Sequence, residues 1–162
     1  MAGTRLEHPN RDKAESKATR AAVVLLLVTS AVLIAAITLG GWSELQGMIP
    51  LAAAYLVIYL VVAFFVLRWN RGVLPVAAAM AILLTVFAAV AAPAWFARDK
   101  TGFDSPALEP SILGLLTVIL IPVSVLLIAF ALRGFQQAWN VEVEVSDDQD
   151  QYGGYEGQPQ PA

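Results

Sequence analysis

The side chains able to do chemistry in the apolar parts of this chain are hydroxyls. Ser30, Tyr55, Tyr59, Thr85 and Ser124 lie within four long stretches that hold no Asp, Glu, Lys or Arg, with Thr29 and Thr117 as further members. A hydroxyl donates and accepts hydrogen bonds, but it becomes a nucleophile only beside a base. No base stands in these stretches, so their chemistry is confined to hydrogen bonding. One use is to tie helices together, at about 0.6 and at most ~2 kcal/mol per bond. The other is a small midplane site for a neutral or lipid-like ligand, with the tyrosines as donors. Tyr55 and Tyr59 are one turn apart and share a helix face.

The remaining functional groups exclude more than they suggest. His8 is the single histidine and there is no cysteine, which removes bis-histidine haem, thiolate nucleophiles and Cys-based metal sites. No Gly-rich phosphate loop, HExxH or GxSxG appears. Asp99, Asp104 and Glu109 are spaced by five and offset by Arg98 and Lys100, unlike the alternating ligands of a calcium loop. A pump or proton-coupled transporter carries ionisable relay residues within the membrane, and these stretches have none. The expectation is a non-enzymatic protein with no cofactor, no metal and no nucleic-acid partner.

The elements that must position the hydroxyls follow from the same charge-free stretches: Ala21–Ser43, Leu45–Leu67, Gly72–Ala97 and Ser111–Leu132. Each meets or exceeds the roughly 20 residues that cross a ~30 Å hydrocarbon core. Of the 162 residues 58% are hydrophobic and 14% charged, against about 45–50% and 25% in a soluble domain. The fold class expected is an all-α integral membrane protein, a four-transmembrane-helix bundle. Its parts are a polar, basic N-terminal segment (1–20), a transmembrane domain (21–133, spans about 21–39, 48–67, 73–97 and 111–133), an interfacial or extended segment (134–145) and a disordered acidic tail rich in Gln, Gly, Tyr and Pro (146–162). Pro50, Pro75 and Pro110 open the last three spans, where a missing N–H costs nothing. Trp42, Trp69, Trp95 and Trp139 fall at the four span ends, as interface anchors do. Asn10 is a candidate N-cap for a helix running into the first span.

With four crossings, the two tails and the second loop share a side that carries eight Lys or Arg, against two on the other. The positive-inside rule then places both termini in the cytoplasm of a multi-pass plasma-membrane protein. The third span repeats small residues at helical spacing (Ala77, Ala81, Thr85, Ala88 and Ala92), a stripe that lets helices approach closely. Pro122, mid-span, frees the carbonyl of Val118 and should kink the fourth helix. In span number and length the chain resembles the small multidrug exporters. Their intramembrane glutamate has no counterpart here, so that mechanism is not implied.

Beyond the last span, Val141, Glu142, Val143, Glu144 and Val145 alternate as a half-buried strand does. No second strand is evident, and an isolated strand is unstable in water. The segment should be extended and mobile unless it adds to a partner's sheet edge. Phe135 and Trp139 are expected to dip toward lipid. The function expected is an accessory or scaffold subunit of a membrane complex, in contact with the bilayer and with either a membrane-protein partner or further copies of itself. The alternative is an oligomeric channel or carrier for a neutral or small solute.

Overall fold

The computed structural model describes residues 4–102 and 106–146. A short strand, β1 (Thr4–Glu7), and one helical turn, α1 (Pro9–Asp12), precede four long helices: α2 (Ala14–Gly40), α3 (Ile49–Leu67), α4 (Leu74–Ala97) and α5 (Pro110–Gln136). A second strand, β2 (Val143–Ser146), follows. All four long helices are apolar enough to cross a membrane, and only 28–33% of each span is buried inside the protein. The apolar remainder needs hydrocarbon around it, so this is a multi-pass membrane protein.

Local chemistry sets the helix limits. Lys13 is extended (φ −61°, ψ 133°) and separates α1 from α2. Asn10 therefore lies inside α1 rather than capping the long helix, and α2 begins at Ala14, before the apolar run. It stops at Gly40–Gly41, where the chain passes so close to its neighbours that a Cβ on Gly41 would come within 2.7 Å of the Trp95 ring. Prolines occupy the first positions of α3, α4 and α5, as the sequence predicts. The end of α3 closes with two reverse bonds, Trp69 N–H to the Val66 carbonyl and Asn70 N–H to the Phe65 carbonyl, both 3.0 Å. This is the Schellman arrangement, and it holds Trp69 at φ +61°, a left-handed conformation usually left to glycine. Ala138, just past α5, is left-handed too (φ +49°).

Around the bundle the order is α3, α2, α5, α4. The α4–α5 interface is the most extensive, α2 packs on both α3 and α5, and the consecutive helices α3 and α4 touch little. Ala77, Ala81, Ala88 and Ala92 of the small stripe are buried, while Thr85 is half-buried. Val76, Leu83, Phe87 and Val90, on the adjacent face of α4, are exposed as lipid-facing residues are. Pro122 lies within α5, which runs on through it with the proline on the exposed side.

Three expectations need correction. The Val141–Val145 segment is not unpaired: its last three residues and Ser146 form β2, which pairs antiparallel with β1 in the register Thr4↔Ser146, Arg5↔Val145, Leu6↔Glu144 and Glu7↔Val143. Its partner strand comes from the opposite end of the sequence. Trp139 does not dip toward lipid; it is fully buried (0% exposed), while Phe135 remains partly exposed. Trp95 is buried as well, so two of the four tryptophans are packed inside rather than set at a lipid interface. Asp104 and the acidic tail from residue 147 onward lie outside the described residues.

Candidate functional site

Two places concentrate polar groups: a cap where both ends of the chain meet, and the hydroxyls at mid-depth. The cap is built on the end of the bundle formed by the start of α2, the α3–α4 turn and the end of α5. The Arg20 guanidinium lies 4.1 Å above the Trp69 ring and donates to the Leu67 carbonyl (3.2 Å), tying α2 to the end of α3. Trp69 meets Trp139 edge to face, with centroids 5.4 Å apart. Trp139 Nε1 donates to Gln137 Oε1 (3.1 Å), and Gln137 Nε2 donates to Thr19 Oγ1 (3.0 Å), closing α5 onto α2. The left-handed residues at positions 69 and 138 are what turn the chain so that both indoles meet here.

Onto this aromatic seat the N-terminal arm is fixed by side chain to main chain bonds. Asn10 Nδ2 donates to the Ala138 carbonyl (3.1 Å) and Arg11 Nε to the Trp139 carbonyl (3.0 Å). His8 Nε2 stands 3.2 Å from Glu142, beside the sheet. Cross-strand pairing puts Leu6 and Glu144 on one face, and Val143 and Val145 with Glu7 and Arg5 on the other. Val141 and Val143 remain 43% and 44% exposed, and Leu6 57%. A polar hollow of about 530 Å³ lies between this arm and α2. Its cations are already committed, Lys17 facing Asp12 at 3.7 Å and Arg11 held by the Trp139 carbonyl.

At mid-depth the predicted hydroxyls divide into two groups. Thr85 Oγ1 donates to the Ala81 carbonyl of its own helix (2.8 Å), and Thr117 likewise to Leu113 (2.7 Å). These threonines are satisfied locally and link nothing. Tyr55 is buried in the α3–α4 region and donates to the Met80 carbonyl at 3.4 Å, a long and weak contact. Ser30 Oγ, Tyr59 OH and Ser124 Oγ are buried with no hydrogen-bond partner among the described residues. A buried polar group left in that condition costs about 1–3 kcal/mol.

Depth along the bundle puts those three at a similar level. At one end α2 meets α3 through Arg20 and Leu67, and α5 through Thr19 and Gln137. At the other, Leu108 N–H bonds the Gly40 carbonyl. Ser30 is midway between the α2 contacts and Ser124 is close to midway between those of α5, so the two serines lie at one level. Tyr59 lies eight residues from Leu67, at similar depth. The pairing of the chain ends and the Arg20–Trp69–Trp139 stack were not read from the sequence. The only signal was that both tails leave the bundle on one side, each with a few residues of alternating character. Comparison of the chain with protein-family models, with curated proteins and with solved structures found no match.

Proposed function

We propose that this chain is a non-enzymatic accessory or scaffold subunit of a membrane complex, and that its cap is the surface a partner docks on. The observation that carries this reading is the β1–β2 sheet. A two-stranded sheet is marginal by itself in water. Here it is tethered to the Trp69–Trp139 pair, of which Trp139 is fully buried, and yet keeps apolar residues exposed, Leu6 on one face and Val143 on the other. Each strand also has an edge with no further strand beside it among the described residues. Such edges accept a strand from another protein, main-chain bonds giving affinity and alternate side chains giving selectivity.

The basic residues favour the cytoplasmic side for the cap and both termini, in the plasma membrane. Since the chain has no cysteine, Ser43→Cys and Ala14→Cys provide clean labelling positions at opposite ends of the bundle. In intact cells an impermeant thiol reagent should label the first and spare the second. The docking role is tested with a photo-crosslinking residue at position 143 or at lipid-facing position 90, in native membranes. Crosslinking of position 143 to one defined protein, lost on Val145→Pro, is the expected result. Crosslinks at 143 to lipid alone, or the same products from both positions, would remove the reading.

A further inference from the structure

The arginines at the two ends of the bundle differ in what neutralises them. Away from the cap, Arg98 lies 5.7 Å from the centre of the Trp95 ring and is ion-paired with Glu44. At the cap end, Arg68 and Arg71 flank the turn between α3 and α4, and neither side chain has an ion pair or a hydrogen bond among the described residues. Local carboxylates are missing, because the chain holds no Asp or Glu from Leu45 to Arg98. Within the cap, Glu7, Asp12 and Glu15 face Arg5, Lys17 and Arg133 instead. Each of the two guanidiniums lies over a phenylalanine, Arg68 at 5.2 Å from the Phe64 ring centre and Arg71 at 4.3 Å from that of Phe135. Phe64 and Phe135 are exposed in the last turns of α3 and α5, so these rings face lipid at the edge of the hydrocarbon. An arginine seated in this way keeps its stem on apolar surface and its charge at headgroup level. Arg68 is exposed, and of the Arg71 nitrogens only Nε is buried, so the terminal nitrogens of both stay open. The turn that carries them is fixed by the reverse bonds of Trp69 and Asn70, and by the Gly72 N–H donating to Asn70 Oδ1 at 3.0 Å.

We propose that the α3–α4 turn is a binding site for acidic phospholipid, with the open N–H groups of Arg71 and Arg68 donating to headgroup phosphates and the lipid chains running past Phe135 and Phe64. A guanidinium presents a planar pair of donors that matches two oxygens of a phosphate. A zwitterionic lipid brings its own ammonium and leaves the arginine charge uncompensated, whereas an acidic lipid neutralises it. Lipid is favoured over a soluble anion because the rings hold both cations against the hydrocarbon edge, where the bilayer already concentrates phosphate. The site requires neither a partner on the β1–β2 sheet nor a particular sidedness of the cap, so it stands or falls separately from the docking role.

The test uses the full chain in phosphatidylcholine nanodiscs with a trace of phosphatidylglycerol that carries a photoreactive diazirine near its headgroup, read out by peptide mapping. Labelling should concentrate on segments 64–73 and 132–136. Unlabelled phosphatidylglycerol should displace it severalfold better than added phosphatidylcholine. Arg71→Gln should lower labelling of 132–136 about fivefold, the preference one arginine supplies at an acidic surface. Arg68→Gln with Arg71→Gln should remove the excess from both segments. Lys13→Gln with Lys17→Gln makes the same change of charge at the same end of the bundle and should leave it. An equal loss in the lysine variant would reduce the effect to net charge and overturn the proposal. Equal displacement by phosphatidylcholine would also overturn it, as ordinary lipid contact. Displacement by inorganic phosphate at constant ionic strength would do the same, by making the turn a site for soluble anions.

Discussion

Truncating Trp139 to alanine should release both ends of the chain at once while leaving the bundle folded. The indole is fully buried, and about 200 Å² of aromatic surface withdrawn from water at ~25 cal/mol per Å² is worth roughly 5 kcal/mol. Measured truncations of buried Trp or Phe fall at about 3–5 kcal/mol, of which an edge-to-face pair such as Trp69–Trp139 supplies about 0.5–1.5 kcal/mol. Where that loss lands is decided by position. Trp139 lies beyond the end of α5, and its partners Trp69, Gln137 and, through Gln137, Thr19 are the seat of the cap rather than the middle of the bundle. The two-stranded sheet above it has too little stability of its own to absorb 3 kcal/mol.

Hydrogen exchange of the full chain in nanodiscs reads this directly. At 1.4 kcal/mol per decade, amides protected within β1 and β2 should lose about 100-fold or more in protection, down to the rate of an open chain. The amides in the middle of α3, α4 and α5 should be unchanged. The informative segment is β1, which is more than 130 residues from the substitution in sequence and reaches it through Arg11, Asn10, the His8–Glu142 contact and the strand pairing. Trp139→Phe should fall between, keeping a ring against Trp69 and losing the Nε1 donor to Gln137. If β1 stays protected in Trp139→Ala, the indole is not what holds the cap. If all four long helices lose protection equally, the cap and bundle are one cooperative unit, and the reasoning fails in the other direction.

Other substitutions separate local causes. Ala138→Gly should raise the stability of the cap by about 0.5–1 kcal/mol, because glycine adopts the left-handed φ of +49° without a Cβ conflict; urea-dependent exchange of β2 reads it, and a loss would mean the methyl packs usefully. Gly41→Ala should cost about 1–3 kcal/mol by overpacking against the buried Trp95 ring, seen as a lower melting temperature in detergent. Gly114→Ala should cost less despite a similar 2.9 Å approach, since the Phe96 ring it meets is partly exposed and free to swing into lipid. Thr85→Val should change stability by less than about 0.5 kcal/mol, because that hydroxyl bonds only its own helix; a larger loss would show an interhelical role.

The spans were legible because membrane insertion is decided by local composition: a window without charge and with 20 apolar residues has few other fates. Helix starts were legible at Pro50, Pro75 and Pro110 for an equally local reason. What the sequence hid was contact at long range. Thr4–Glu7 and Val143–Ser146 are each four residues long, too short for either to declare itself, and each gains meaning only from the other. Trp139 was misplaced because an indole at a span end fits a headgroup and an aromatic partner equally well. Its burial depends on Trp69, brought opposite by the turn between α3 and α4. Nor does the sequence tell the hydroxyls apart by partner: Thr85 and Thr117 reach their own carbonyls while Ser30, Tyr59 and Ser124 do not.

The open α3–α4 side is a consequence of how the small residues are distributed. Consecutive helices joined by a short turn are ordinarily close neighbours, and here the turn spans only Arg68 to Val73. Yet α4 presents Ala77, Ala81, Ala88 and Ala92 to the interior and makes its most extensive contact with α5, on which Gly114 meets the Phe96 ring and Gly134 meets Leu74. Close approach on that side draws α4 away from α3. What remains between them is bridged by Tyr55, whose ring meets Phe87 edge to face at 6.4 Å and whose hydroxyl reaches Met80. Beside that bridge the lining residues are Ala52, Ala88 and Ala91, too small to close the gap. Large side chains at those three positions would have filled the cleft from within. The arrangement of rings at the edges and alanines between them leaves the filling of the cleft to whatever the bilayer supplies.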